Sequence, residues 1–79
     1  RSTADAIRLW EKAQKLDPKY HWGWIELARL YRVAGELQKQ KESAERALES
    51  STSDRERALS WGELGDAEKT AGNLMAAWE

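Results

Sequence analysis

Few side chains in this sequence could support chemistry, and none has the partners that catalysis requires. His21 is the single histidine, and a metal site or a general base would need further ligands beside it. It starts a predicted helix next to Trp22, so we expect a solvent-exposed or packed ring. Glu26 and Glu63 could form a carboxylate pair, but they occupy equivalent positions of a repeat. We therefore expect a structural role for both, such as an ion pair with Arg or Lys on a neighbouring helix.

Other catalytic signatures are missing from the sequence. Cysteine is absent, which excludes disulfides, thiolate metal sites and thiol nucleophiles. Phosphate-binding loops, nucleophile elbows and metal-ligand spacings are absent as well. We expect a non-enzymatic protein with no cofactor and no metal.

The charge balance argues against two classes of partner. The 13 Lys and Arg residues are scattered among 14 Asp and Glu residues, so a basic patch for nucleic acid is not expected, and RNA binding by helical repeats is disfavoured. Apolar runs all fall short of the ~20 residues that cross a bilayer, so a membrane partner is not expected. The chain begins with Arg1 and shows no signal-peptide pattern. We expect an excerpt of a larger protein, whose compartment the sequence does not give.

The sequence contains an imperfect internal repeat. The stretch "WIELARLYRVAGEL", residues 24–37, is partly repeated as "WGELGDAEKTAGNL", residues 61–74, with a constant offset of 37 positions. The identical pairs are Trp24 and Trp61, Glu26 and Glu63, Leu27 and Leu64, Ala34 and Ala71, Gly35 and Gly72, and Leu37 and Leu74. A fixed offset of this size is typical of stacked supersecondary units.

The elements that position these residues are predicted to be helices throughout. Apolar residues recur at the spacing of one helical face, and one proline and five glycines do not interrupt these stripes. On the first predicted helix the stripe is formed by Ala6, Leu9, Trp10, Ala13 and Leu16. The pattern predicts helices over residues 3–16, 19–34, 37–50 and 54–71, and a fifth helix that begins after Gly72 in "NLMAAWE".

Local signals set the predicted helix ends. Asp17 and Pro18 are predicted to be the N-cap and the first residue of the second helix. Gly35 stands where a left-handed residue would end that helix. Ser53 and Glu56 have the spacing of a capping box before the fourth helix.

These residues resemble the tetratricopeptide repeat, whose helix pairs follow a W-x2-L-G-x2-Y…A-x3-F…P pattern with a period near 34. Three sets match: Trp24, Leu27, Ala28 and Tyr31; Ala6, Trp10, Ala13 and Pro18; and Trp61, Leu64 and Gly65. The residues that depart from the pattern are Gln40, Ala44, Thr52 and Glu68. The offset of 37 is also longer than the usual period, and in this it is similar to the longer repeats of some bacterial members. The resemblance implies an all-α, right-handed α-solenoid of antiparallel helix pairs with about five helices. Residues 1–20 would be a partial repeat, 21–57 a full repeat and 58–79 another partial repeat.

The resemblance also implies a protein-interaction scaffold, with a concave groove for a peptide or partner protein. The helical wheel and the repeat offset predict the groove residues Trp22, Ile25, Arg29, Arg32, Leu59, Gly62, Asp66 and Lys69. Trp and Arg are enriched at binding hot spots, so Trp22 beside Arg29 is the main candidate. Alternatively, Trp22 packs on the preceding helix and Arg29 pairs with Asp66.

The groove residues also suggest a preference among peptides. The family's Lys and Asn clamp for terminal carboxylates has no counterpart here. The basic residues Arg29, Arg32 and Lys69 could still favour an acidic peptide, whose binding should weaken between about 50 and 500 mM salt.

A second hypothesis is self-assembly into a homo-oligomer. Terminal repeats normally need a polar cap, and uncapped ends can stack or exchange helices between chains. The candidate end residues are Leu9, Trp10, Leu74, Met75 and Trp78.

Overall fold

A computed structural model describes the backbone of residues 2–78 and the side chains of residues 2–72. Four helices follow one another, and the described residues contain no strand. They are α1 (Thr3–Leu16), α2 (His21–Ala34), α3 (Leu37–Glu49) and α4 (Asp54–Trp78). The all-α prediction is confirmed, and α1 begins and ends where the sequence pattern predicts.

The predicted fifth helix is not confirmed, because α4 continues through Gly72 to Trp78. A glycine inside a helix costs only about 1 kcal/mol relative to alanine. The residues that follow Gly72 include Leu, Met and Ala, which are good helix formers. A glycine alone therefore does not end this helix.

The connection between α1 and α2 differs from the prediction. Asp17 is the C-cap of α1, and its N–H donates to the Ala13 carbonyl at 3.0 Å. A residue before proline avoids the helical region, and Asp17 accordingly has φ −141° and ψ 82°. Tyr20, and not Asp17, is the N-cap of α2, so this helix begins at His21.

The turn between α2 and α3 agrees with the prediction. Gly35 is left-handed with φ 78°, a conformation that a side chain would strain. The Glu36 N–H donates to the Tyr31 carbonyl at 2.9 Å, and the Gly35 N–H donates to the Arg32 carbonyl at 3.2 Å. These bonds satisfy carbonyls at the end of α2 and turn the chain directly into α3.

The start of α4 uses a shifted capping box. The Ser53 hydroxyl accepts from the Glu56 N–H at 3.1 Å, as predicted. The Glu56 carboxylate, however, accepts from the N–H of Thr52 at 2.9 Å and from its hydroxyl at 3.1 Å. The Thr52 N–H is the main cause that holds the pKa of Glu56 below its usual value.

Helix α2 lies at the centre of the packing and contacts all three other helices, whereas α1 contacts only α2 among the described residues. The buried cluster of Ala28, Ala44 and Leu64 joins α2, α3 and α4. Its two alanines are fully buried, which allows the helices to approach closely. The apolar stripe of α1 is only partly covered: Leu9 and Leu16 are exposed, because α2 is the one described helix that packs against α1.

Candidate functional site

The face of α2 and α4 that carries the predicted groove is only partly available to a partner. Trp22 is 42% exposed, Leu59 is half-buried, and Ile25 is completely buried. The prediction for Ile25 is therefore wrong. Ile25 lies on the same stripe of α2 as His21 and Arg29, and both of these side chains bond to α4, so this stripe faces α4. We use the name open face for Trp22, Arg29, Arg32, Asp66 and Lys69, which are all exposed.

Ion pairs between α2 and α4 cross the open face. Arg29 Nε lies 3.2 Å from Glu63 Oε2, and Arg32 Nη1 lies 3.5 Å from Asp66 Oδ2. Arg29 Nη1 also lies 3.7 Å from Glu26 Oε1. The predicted ion pair with a neighbouring helix is found for Glu63, whereas Glu26 pairs with Arg29 of its own helix. Arg29 pairs with Glu63 and not with Asp66.

The register of these ion pairs defines how α2 and α4 lie together. In each of the two interhelical pairs, Arg29–Glu63 and Arg32–Asp66, the partners are 34 positions apart. The pair that comes later on α2 also comes later on α4. The two helices are therefore parallel. Repeated residues are 37 positions apart, so the contacts join residues about one helical turn out of the repeat register.

His21 is buried and structural. Its Nε2 lies 2.7 Å from Ser60 Oγ, and the Ser60 hydroxyl donates to the Glu56 carbonyl at 2.9 Å. Ser51 Oγ lies 3.0 Å from Ser60 Oγ. This network fastens the start of α2 to α4. The expectation of a packed ring is met, and the residues with described side chains contain no cluster able to hold a metal.

A groove that the sequence did not predict lies between α1 and α3, on the other side of α2. The part between α1 and α3 has a volume of about 620 Å³ and a floor formed by Trp24, Leu27 and Tyr31. A second part, of about 870 Å³, shares Trp24 and Tyr31 but is otherwise lined by α3 and by Leu64 of α4. We call the two parts together the α1–α3 groove. It is open because α1 and α3 do not contact each other.

Hydrogen bonds hold the floor of the α1–α3 groove in place. Trp24 Nε1 donates to the Pro18 carbonyl at 2.8 Å, and the Tyr31 hydroxyl donates to the Glu11 carboxylate. Burial, followed by this bond to Glu11 and by nearby carboxylates, raises the pKa of Tyr31. The hydroxyl therefore remains a donor at neutral pH, and it joins α2 to α1.

The predicted end residues are only partly described. Leu9 is 69% exposed, and Trp10 is half-buried and stacks on Tyr20 at a ring-centroid distance of 6.5 Å. Leu74, Met75 and Trp78 lie outside the residues with described side chains. Trp61, the repeat counterpart of Trp24, is 59% exposed, because no helix covers this side of α4 among the described residues.

Comparisons of the chain with models of protein families, with curated proteins and with solved structures found no match. The resemblance to the tetratricopeptide repeat therefore rests on the residues given above. Among the described helices, none has both the length and the apolar character needed to cross a membrane.

Proposed function

We propose that this chain is part of a tetratricopeptide-like, right-handed α-solenoid that acts as a non-enzymatic scaffold for a peptide or partner protein. The support is the relation between α2 and α4. They repeat the same residues at an offset of 37 positions and run parallel to each other. Between them along the chain lies α3, which runs antiparallel to α2, because Lys39 lies over Tyr31 and Arg46 over Trp24. Stacked helix pairs of this kind present a continuous surface to a partner.

The exposure of Trp22 is the observation that carries the proposed function. Its ring makes an edge contact with His21, with 5.3 Å between the ring centroids and 74° between the planes. His21 is itself fixed to Ser60 on α4. A large aromatic ring on a fixed support loses little conformational entropy when a partner covers it. Trp22 is therefore suited to anchor an apolar side chain of the partner.

A displayed library of random peptides tests this function. We expect it to yield peptides that bind the whole chain, and Trp22→Ala should weaken them by more than about 1 kcal/mol, which is roughly fivefold or more in Kd. Leu16→Ala is the matched control, because it also truncates an exposed apolar side chain, 82% exposed, on another helix. Failure to select any peptide, or equal affinity for wild type and a folded Trp22→Ala variant, would remove the open face as the binding site.

Self-assembly is the second candidate, favoured by apolar side chains on the two outer helices. Leu9 and Leu16 on α1 and Trp61 on α4 are all more than half exposed. We expect a homo-oligomer held by these residues to dissociate on Trp61→Lys, whereas Val33→Lys, at a position that is also exposed, leaves it intact. Light scattering over a wide concentration range measures this, and a wild-type chain that is monomeric throughout would exclude the candidate.

A further inference from the structure

The two parts of the α1–α3 groove differ in charge. The part of about 870 Å³ is bordered by Glu42, Glu45 and Glu49, together with Lys39 and Arg46. The part of about 620 Å³ is bordered by Arg8, Lys12, Lys15 and Arg46, with Glu11 as its single carboxylate. We call the second part the basic half. Its charge is the opposite of what the chain's net charge of −1 would suggest.

Most of the positive charge in the basic half is available to a partner. Arg8 pairs with Asp5 at 3.4 Å, but no carboxylate among the described side chains pairs with Lys12 or Lys15. The one acidic group, Glu11, is already engaged by the Tyr31 hydroxyl. Because Lys12 and Lys15 are three positions apart on a helix, both ammonium groups lie on the same face.

The opposite rim of the basic half adds a third cation. The Arg46 guanidinium lies over the Trp24 ring, with 6.0 Å between Cζ and the ring centroid. This contact holds Arg46 beside the aromatic floor, since a cation is attracted to the face of an aromatic ring. The basic half thus places cations on both sides of an apolar floor made by Trp24, Leu27 and Tyr31.

The dimensions of the basic half limit what can fill it. Its lining residues on α1 run from Arg8 to Lys15, which covers about 10 Å of helix. That length corresponds to about three residues of an extended peptide. An apolar side chain between two acidic residues would match the floor and both rims.

We propose that the basic half of the α1–α3 groove binds acidic peptide segments in which an aromatic or large aliphatic residue is flanked by carboxylates. The apolar residue lies on the half-buried Trp24 ring, and the carboxylates pair with Lys12 and Lys15 on one side and with Arg46 on the other. This site is separate from the open face and does not depend on it.

Charge complementarity also explains why acidic peptides should prefer this groove to the open face. On the open face, Arg29 and Arg32 are already paired with carboxylates of α4. A peptide would have to compete with Glu63 and Asp66 there. In the basic half, Lys12 and Lys15 have no such competitor among the described side chains.

The test measures fluorescence polarisation of a labelled peptide, Gly-Glu-Asp-Trp-Asp-Glu-Gly, with the whole chain at low ionic strength. The control peptide has Lys in place of every acidic residue. We expect saturable binding of the acidic peptide alone. The variant Lys12→Glu/Lys15→Glu should weaken it at least tenfold, and the neutral variant Lys12→Gln/Lys15→Gln should weaken it less.

The matched control is Lys41→Glu/Arg55→Glu, which changes the net charge equally at two exposed positions outside both the groove and the open face. We expect less than a threefold effect from it and none from Trp22→Ala. Absence of saturable binding, equal binding of the basic peptide, or equal losses in the two double variants would overturn the proposal. A loss caused by Trp22→Ala would overturn it too, because the peptide would then lie on the open face. Circular dichroism verifies that each variant is folded.

Discussion

Gly23 is the position where a single methyl group should most clearly disturb the packing of α1 on α2. A Cβ atom there would lie 1.8 Å from Gln14 Oε1 and 2.3 Å from Gln14 Cδ. Gln14 cannot simply move into solvent, because its side chain is 2% exposed and Nε2 donates to the Tyr20 carbonyl at 2.9 Å. Gly23→Ala must therefore displace a buried amide or separate the two helices.

The size of the effect follows from three contributions. Overpacking of a closely packed site typically costs about 1 to 3 kcal/mol, and losing the bond from Gln14 to Tyr20 costs about 0.5 to 1.5 kcal/mol. The higher helix propensity of alanine offsets up to about 1 kcal/mol. We expect a net loss of about 2 kcal/mol in the free energy of unfolding, which corresponds to a decrease of roughly 8 to 16 °C in Tm for a domain of this size.

Urea and thermal unfolding followed by far-UV circular dichroism measure this loss. Gly62→Ala is the matched control, because a Cβ at Gly62 meets nothing within 4 Å and should leave stability unchanged or raise it by up to about 1 kcal/mol. In a Gln14→Ala background, Gly23→Ala should cost much less, because the clashing atoms are gone. If Gly23→Ala is as stable as wild type, or if its cost is the same in both backgrounds, the reasoning is refuted.

Three further changes test the contacts of α4. Ser60→Ala removes the partner of the buried His21 ring, so we expect a loss of about 1 to 3 kcal/mol in urea unfolding. Arg29→Ala leaves the nearly buried Glu63 carboxylate without its cation, so we expect a loss of about 1 to 3 kcal/mol, largely recovered by adding Glu63→Gln. The lowered pKa of Glu56 makes its ionised form stabilising. Wild type should therefore exceed Glu56→Gln in free energy of unfolding by the largest amount above the usual pKa of 4.5. In urea titrations, this difference should decrease as the pH falls below 4.5.

Ser60→Ala and Arg29→Ala each have a control on the same helix. Thr70→Ala removes a hydroxyl bonded only to the Asp66 carbonyl on the exposed side of α4, and we expect a change within about 0.5 kcal/mol. Arg32→Ala breaks a solvent-exposed pair, which is worth about 0 to 1 kcal/mol. Costs for Ser60→Ala or Arg29→Ala no larger than those of their controls would contradict the assigned contacts. A difference for Glu56→Gln that does not change with pH would contradict the assigned role of the carboxylate.

Local features of the structure could be predicted from the sequence. The bounds of α1, the left-handed Gly35 and the bond between Ser53 and the Glu56 N–H depend on residues a few positions apart. A short stretch of sequence therefore contains all the residues that determine each of these features. The start of α2 was missed because Asp17 precedes a proline and adopts an extended conformation, which delays the helix to His21.

The features that were missed depend on which helices meet. The burial of Ile25 requires α4 to lie beside α2, and the bond from His21 to Ser60 joins residues 39 positions apart without a sequence motif. The α1–α3 groove exists because two helices do not contact each other. The exposure of Trp61 likewise reflects the absence of a covering helix among the described residues. A periodic pattern identifies the apolar face of a helix but not its neighbours.

The most direct test of the interaction scaffold is an NMR titration of the tryptophan indole groups with a peptide selected from the displayed library. We expect the indole N–H resonance of Trp22 to shift saturably while that of Trp61 does not move. Trp24, in the α1–α3 groove, should also be unaffected by a peptide that binds the open face. A bound peptide that leaves the Trp22 resonance unchanged would contradict the proposal that the open face captures the partner.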